Sequence, residues 1–407
     1  MTDAREPRST HLMLDYLVEL GSELLSAGCP SYRLEELLGV VAAREGLSAD
    51  VFALPTGLFV AIRTPTGDAP AVSMVRVNEW RVDLERLAVL DELLNRVVDR
   101  TLTVGDARHE LRRLSKAGHW PVLVKLLAGA GSSAGAAVTF GGGIGDFFIA
   151  GVGGLVLRAV LLRTQREPGL RFLENFLGGV IAAMTAWFAT LVWPGHSRDV
   201  LVLAVVIPLL PGMVLTTGLA EITFKNLVSG TARLVDAAVT LLSLVFGIGL
   251  ALTFEQWTGV RPEAAGTLLP APWWWQALAV VVASLSFGVS LGLPRQKLVI
   301  ALGSGGVVWL SQLLLRTWPA TPAAFLSALV LAVAANAFAR TTKQPAQVFL
   351  LPGLLVPGSF GFRSFDALLR GDYTQGASQA VGMFTLAGAL VMGLLVANVV
   401  VPPRKIL

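Results

Sequence analysis

Residues 201–220 read LVLAVVIPLLPGMVLTTGLA, an uncharged stretch long enough to cross a lipid bilayer as one helix. Its centre, Pro208-Leu-Leu-Pro211-Gly212, cannot continue a regular helix, because proline lacks the backbone donor and clashes with the preceding turn. In hydrocarbon an unmet backbone group is costly, so a broken helix is tolerated only where protein or a water-filled cavity satisfies it. The stretch therefore predicts a membrane span that is interrupted at a functional cavity.

The composition of the whole chain also indicates a membrane protein. Of the 407 residues, 54% are hydrophobic and 15% are charged, whereas soluble domains carry roughly a quarter charged residues. The excess apolar surface therefore has to face lipid. The single cysteine, Cys29, excludes an intramolecular disulfide framework and a multi-thiolate metal site. We expect no metal and no cofactor.

Apolar stretches of bilayer length follow one another from residue 120 onward, and we count ten of them. They run approximately over residues 122–142, 146–162, 172–194, 199–220, 234–254, 273–293, 297–315, 322–340, 345–360 and 376–401. Residues 1–119 are more polar. Two helical patterns, three short β-branched or aromatic runs and two further helical patterns predict an α+β domain there, with Ser31 as the cap of its second helix.

Basic residues in the loops predict the orientation of the spans. One set of alternate loops and the C-terminus carry 15 Lys and Arg residues, and the intervening loops carry five. Cytoplasmic loops carry the excess of positive charge, so both termini and the α+β domain are predicted to be cytoplasmic. The net charge of +4 therefore reflects membrane topology, and we expect no nucleic-acid partner.

Two segments early in the membrane part resemble two segments later in it. The segment from Thr139 to Gly154 matches that from Ser286 to Gly306, and Pro208-Leu-Leu-Pro211-Gly212 matches Leu354-Leu-Val-Pro357-Gly358-Ser359. Because each copy holds five spans, an odd number, the two copies run in opposite directions across the bilayer. The sequence thus predicts an α-helical polytopic membrane protein with two inverted five-helix repeats, residues 120–255 and 256–407. This architecture is common among secondary transporters.

Four groups of motifs resemble those of the threonine/serine exporter family. Leu20-Gly21-Ser-Glu-Leu-Leu-Ser-Ala-Gly28, followed by Arg33-Leu-Glu35, resembles the opening of the family's cytoplasmic domain. The membrane motifs are Phe140-Gly-Gly-Gly-Ile-Gly-Asp146, Ile207-Pro-Leu-Leu-Pro-Gly212 with Glu221 and Ser229-Gly230-Thr-Ala-Arg233, and Gln344-Pro-Ala-Gln347 through Leu351 to Ser359. The family has Asp where this chain has Glu221, a change that keeps the charge.

The resemblance implies a function and a location. We expect a multi-pass protein of the bacterial inner membrane that exports threonine and serine by proton antiport. Some relatives are split into two proteins and are linked to dicarboxylate export, so a substrate such as succinate stays an alternative. A channel and a membrane-anchored enzyme with a cytoplasmic catalytic domain also stay open, as does homo-oligomerisation. The chain has no ATP-binding motif.

Candidate site residues follow from three kinds of chemistry. Broken backbone, hydroxyl groups in the small-residue first span and one arginine could bind the substrate. These residues are Ser132, Thr139, Pro211, Gly212, Arg233, Pro357, Gly358 and Ser359. Carboxylates in or beside spans are candidates for proton coupling, namely Asp146, Glu221 and Asp236. Packing hydroxyls, a helix N-terminal acid at Asp146 and an Arg233–Asp236 pair along one helix are the corresponding structural alternatives.

Overall fold

The computed structural model describes residues 6–63, 69–78, 81–114, 120–193, 195–258, 271–342, 344–353 and 358–402. Residues 6–114, which we call the amino-terminal unit, form four helices and one sheet. These are α1 (Glu6–Ser26), α2 (Ser31–Arg44), β1 (Ser48–Leu54), β2 (Gly57–Arg63), β3 (Ala71–Arg76), α3 (Leu84–Val98) and α4 (Val104–Arg113). The predicted order of helices and strands is confirmed.

The core of the amino-terminal unit lies between the helices and one face of the sheet. The strands are antiparallel in the order β1-β2-β3, with Val51 opposite Val60 and Val60 opposite Ser73. Helix α1 buries Leu17, Leu20 and Leu24 in this core, because these positions share one helical face. The chain then turns at Gly28, whose φ of +93° favours glycine, and α2 begins at Ser31.

The remaining helices are mostly long and apolar. They are α5 (Val122–Thr139), α6 (Ile144–Thr164), α7 (Glu174–Val192), α8 (Arg198–Val206), α9 (Gly212–Thr223), α10 (Leu227–Thr258), α11 (Trp273–Ser290), α12 (Leu298–Leu314), α13 (Ala320–Thr342), α14 (Gln347–Gly353), α15 (Gly358–Leu369) and α16 (Tyr373–Val400). Within the described residues, nine stretches are long and apolar enough to cross a membrane, and counting α8 with α9 as one bent span gives ten. The predicted helical polytopic membrane fold is confirmed.

The fourth span is broken where its prolines predict a break. Helix α8 passes into a short 3-10 turn, Ile207–Leu209, and α9 starts anew at Gly212. The two parts are bent by 59° relative to each other. The ninth span consists of α14 and α15, on either side of residues 354–357. The predicted site residue Pro357 lies outside the described residues.

The same helix pairs pack together in both halves of the membrane part. Helix α5 contacts α6 as α11 contacts α12, and α7 contacts α10 as α13 contacts α16. The helices of the first pair also approach each other closely in both halves. A side chain at Gly154 would collide with Ser133, and one at Gly305 would collide with Ser284. Both pairs of residues are 21 positions apart, as expected for two copies of one packing arrangement.

The amino-terminal unit is attached to the second half through apolar packing. Its core continues into the membrane part through Leu293, Ala301 and Val348. The backbone N–H of Leu84, at the start of α3, donates to the carbonyl of Leu291 at 2.9 Å. The indole N–H of Trp120 donates to the carbonyl of Leu293 at 2.8 Å. We call this contact around the α11–α12 connection the apolar attachment.

Candidate functional site

The break of the fourth span lies against the start of α15, which belongs to the ninth span. A Cβ atom added at Gly358 would lie 3.0 Å from the Cβ of Leu210 and 3.3 Å from the backbone nitrogen of Gly212. A side chain at Gly358 would therefore crowd the start of α9. Two predicted site residues, Gly212 and Gly358, are thus brought together, with Pro211 as the residue preceding α9.

A cavity opens beside this junction. Its membrane wall is formed by Met213 and Thr217 of α9, Arg233 of α10, and Pro345, Gln347 and Leu351 in and before α14. The opposite wall is the turn between α1 and α2, Gly28 to Pro30, together with Val82 and Leu87. The cavity has a volume of about 50 Å³, room for about four water molecules. It is therefore small and suits only a small solute.

Three polar side chains line a cavity that is otherwise largely apolar. Arg233 is 5% exposed and is the charged residue among those that line it. The side-chain oxygen of Gln347 is buried and has no hydrogen-bond partner among the described residues. Thr217 adds a hydroxyl group. A cation, an amide oxygen and a hydroxyl can together bind a carboxylate, an ammonium group and a second hydroxyl.

Arg233 is held in place by Glu221, which is fully buried. The guanidinium Nε of Arg233 donates to Glu221 Oε2 at 3.0 Å, and the hydroxyl of Ser229 donates to the same oxygen at 2.7 Å. The other oxygen, Oε1, accepts the backbone N–H of Ser31 at 2.9 Å. A buried carboxylate needs such partners, because burial without them would be very costly.

The partner Ser31 belongs to the amino-terminal unit, so the Glu221 cluster joins that unit to the first half of the membrane part. Pro30 precedes α2, and Ser31 is its first residue, so the prediction of Ser31 as the helix cap is wrong. Its hydroxyl instead lies 2.7 Å from that of Ser229. The carboxylate of Glu221 takes over part of the capping role, since it binds an N–H group at the start of α2.

Two further contacts surround this cluster. The rings of Tyr32 and Phe224 stack with centroids 4.3 Å apart. The carboxylate of Glu35 accepts from the backbone N–H of Ala53 at 2.9 Å and from the side chain of Asn226 at 2.8 Å. We call these contacts, with Ser31, Ser229 and Glu221, the polar attachment. Burial raises the pKa of the neighbouring Cys29 thiol to about 12, and the thiol is 1% exposed.

Asp146 lies apart from the cavity, at the start of α6. Its carboxylate is 2% exposed, accepts the backbone N–H of Gly143 at 2.8 Å, and lies 2.9 Å from the Nδ1 atom of His196. His196 precedes α8 in the sequence and lies 50 positions away from Asp146. The sequence does not predict this pairing, because Asp146 and His196 do not belong to the same motif.

The other predicted site residues lie outside the cavity wall. The hydroxyls of Ser132 and Thr139 donate to carbonyl groups of their own helix, at Gly129 and Gly135. Asp236 is exposed on α10, and Ser359 is half-buried beside Gly358. Of the predicted residues that the structure describes, Arg233 alone lines the cavity directly. Sequence reasoning missed Thr217 and the Gly28–Pro30 turn as wall residues, although Gln347 does stand in a quoted family motif.

Two family models match most of the chain. The model described as "Putative threonine/serine exporter" matches residues 15–255. The model described as "Threonine/Serine exporter, ThrE" matches residues 276–400. Both descriptions are of exporters and not of enzymes. No solved structure matches the chain at a significant level.

Several curated proteins are similar to this chain. A protein named "Probable threonine/serine exporter" from Mycobacterium tuberculosis is 25% identical over 94% of this chain and 76% of its own length. "Pheromone-regulated membrane protein 10" of Candida albicans is 23% identical over 88% of this chain and 33% of its own length. An uncharacterized protein of Schizosaccharomyces pombe is 25% identical over 70% of this chain and 35% of its own length. The chain therefore spans about a third of the length of these fungal relatives.

Proposed function

Since the chain belongs to the threonine/serine exporter family, we propose that it exports threonine and serine from the cytoplasm in exchange for protons. The observation that carries the proposal is the cavity beside the broken fourth span, with Arg233, Thr217 and Gln347 in its wall. A broken span beside a small substrate cavity is typical of secondary transporters.

The proposed binding mode uses the cavity's three polar groups. The substrate carboxylate pairs with Arg233, the ammonium group donates to the buried oxygen of Gln347, and the side-chain hydroxyl pairs with Thr217. Of the predicted substrate-binding residues, Pro211, Gly212, Gly358 and Ser359 would supply backbone groups where the fourth span breaks beside the start of α15. Ser132 and Thr139 would shape the packing of α5 beside this break. Pro357 lies outside the described residues and stays a proposed substrate-binding residue.

Antiport requires that substrate and proton binding exclude each other. When the substrate carboxylate pairs with Arg233, the carboxylate of Glu221 loses its ion pair with that arginine. The substrate's ammonium group, which has three N–H donors, would then donate to Glu221 as well as to Gln347, so Glu221 could not hold a proton while the substrate is bound. Asp146 with His196 would exchange protons at the opposite end of the membrane part, because an imidazole ring can both take up and release a proton. Asp236, exposed one turn after Arg233, would relay protons to the solvent.

The proposed orientation follows the basic loops. The amino-terminal unit and both termini face the cytoplasm, and the helices span a bacterial inner membrane as two inverted repeats, residues 120–255 and 256–407. The recurrent helix pairs in the two halves support this arrangement. Under this orientation the cavity lies on the cytoplasmic side, from which an exporter loads, and the amino-terminal unit forms its cytoplasmic wall.

A dicarboxylate such as succinate is the second candidate, and the cavity wall disfavours it. Two carboxylates call for two cations, whereas Arg233 is the one charged residue among the described residues that line the cavity. A hydroxy amino acid brings its own ammonium group and needs one cation only.

Transport by inside-out vesicles tests the proposal. Labelled threonine, serine and succinate are offered at several imposed pH gradients, with vesicles lacking the protein as the control. We expect threonine and serine accumulation that rises with the gradient and exceeds succinate accumulation at least tenfold. Accumulation that does not depend on the gradient would contradict antiport, and preference for succinate would contradict the binding mode.

A further inference from the structure

The amino-terminal unit forms part of the cavity itself. The turn from Gly28 to Pro30 closes the side of the cavity opposite to α9 and α14. No solute can enter through that side unless the turn moves away. The unit is therefore more than an appendage of the membrane part, because its position decides whether the cavity is accessible.

The two attachments of this unit differ in chemistry. The apolar attachment to the second half buries Leu293, Ala301 and Val348 in the unit's own core. The polar attachment to the first half consists of hydrogen bonds and one stacked ring pair around Glu221. Breaking the apolar attachment would expose core side chains to water, whereas the groups of the polar attachment can exchange partners with water or solute.

We propose that the amino-terminal unit is the inner gate of the transport path and that Glu221 is its latch. In the closed state Glu221 binds Ser31 with one oxygen and Arg233 with the other. Opening breaks the polar attachment while the unit stays with the second half through the apolar attachment. The gate and the substrate site share one carboxylate, so a substrate carboxylate that takes Arg233 also weakens the latch.

A reversible cross-link tests the gate, and this test depends on the proposed function. The hydroxyls of Ser31 and Ser229 lie 2.7 Å apart, so Ser31→Cys with Ser229→Cys, in a Cys29→Ala background, places two thiols within reach of a disulfide. We expect the oxidised protein to transport threonine at least tenfold more slowly than the same protein after reduction. Each single-cysteine variant serves as the control and should not respond to oxidation. Equal transport before and after reduction, with the cross-link verified by mass, would overturn the gate.

A second measurement reads the gate without transport. Cys29 lines the cavity and is the chain's single cysteine, so its alkylation by N-ethylmaleimide in the full-length, membrane-embedded protein reports how often the turn opens. We expect Glu221→Gln to raise the alkylation rate at least tenfold. The matched control is Glu36→Gln, which removes an exposed carboxylate from α2, the helix that follows Cys29. Equal rates in wild type and Glu221→Gln would overturn the latch, even if no transport of threonine were found. If the wild type did not transport threonine while Glu221→Gln raised the alkylation rate, the proposed function alone would be refuted.

Discussion

Asp146 and Glu221 are both buried carboxylates at the ends of membrane helices, but their partners differ in kind. Glu221 has a guanidinium group, a hydroxyl and the backbone N–H of another structural unit. Asp146 has a backbone N–H of its own helix start and one imidazole ring. An arginine side chain stays charged, whereas an imidazole ring can both take up and release a proton.

The difference suggests a division of work between the two ends of the membrane part. The Glu221 cluster suits a task in which a charged partner is exchanged, such as binding a carboxylate or releasing a gate. The Asp146–His196 pair suits the exchange of protons with the solvent. These roles can be tested by changing one group at a time and measuring transport, coupling, selectivity or stability.

The largest effect is expected at Arg233. Arg233→Ala removes the cation that would hold the substrate carboxylate and leaves Glu221 buried without its ionic partner. We expect threonine transport to fall at least 100-fold and the unfolding free energy to fall by about 3–5 kcal/mol. Arg233→Lys keeps the charge but loses the planar two-pronged contact, so it should restore folding and leave a raised KM. The control is Arg340→Lys, which changes an exposed arginine that donates to the carbonyl of Pro402.

Asp146→Asn is expected to separate coupling from binding. The amide cannot take up a proton, so the pair with His196 loses its capacity for proton exchange. We expect gradient-driven threonine transport to fall about 30-fold, a loss of about 2 kcal/mol, while exchange of labelled for unlabelled threonine without a gradient continues.

The control for this change is Asp199→Asn, because Asp199 is an exposed acid in the first turn of α8, three positions after His196. It should transport as the wild type does. If Asp146→Asn retained full dependence on the pH gradient, Asp146 would be a structural helix-start acid and the proton path would lie elsewhere.

A smaller effect is expected for the selectivity of the cavity. Thr217→Val keeps the shape of the side chain and removes its hydroxyl from the wall. A lost hydrogen bond of about 1.4 kcal/mol corresponds to a tenfold change, so threonine and serine should lose about tenfold relative to alanine, which has no hydroxyl. The neighbouring Thr216→Val is the control, since the hydroxyl of Thr216 donates within its own helix to Gly212. An unchanged preference in Thr217→Val would exclude Thr217 from hydroxyl recognition.

Sequence patterns predicted the fold well and the cavity poorly, for a physical reason. Helix periodicity, apolar length and proline breaks act within one segment, so they located the helices, the strands and the break at Pro211. The cavity depends on contacts between distant segments. Ser31 and Glu221 are 190 positions apart, and Asp146 and His196 are 50 apart. Ser132 and Thr139 were chosen for their hydroxyls, but a helix can satisfy such hydroxyls with its own carbonyl groups.

The smallest effect is expected at Glu19, a carboxylate that has cationic partners but is only partly buried. Its loss is the comparison against which the buried Glu221 is judged. Glu19 is bound by Arg108 and Arg112 in the amino-terminal unit. Partial burial alone would raise its pKa, but the hydrogen bonds from Arg112 and Arg108 outweigh this and lower the pKa to about 2. Because the pKa in the folded state is below the ordinary value of 4.5, the ion pairs stabilise the fold above about pH 4.5 and lose this effect as the pH falls toward 2.

We therefore expect Glu19→Gln to lower the unfolding free energy by about 1 kcal/mol at pH 7, since the group is partly exposed and its ion pairs are screened by solvent. The difference from wild type should shrink progressively below pH 4.5 in thermal unfolding measured by circular dichroism. Asp50→Asn, which breaks the fully surface pair with Arg63, is the matched control and should change stability less. If Glu19→Gln were as damaging as the loss of Arg233, burial would not be what distinguishes the Glu221 cluster, and its proposed role as a latch would lose its physical basis.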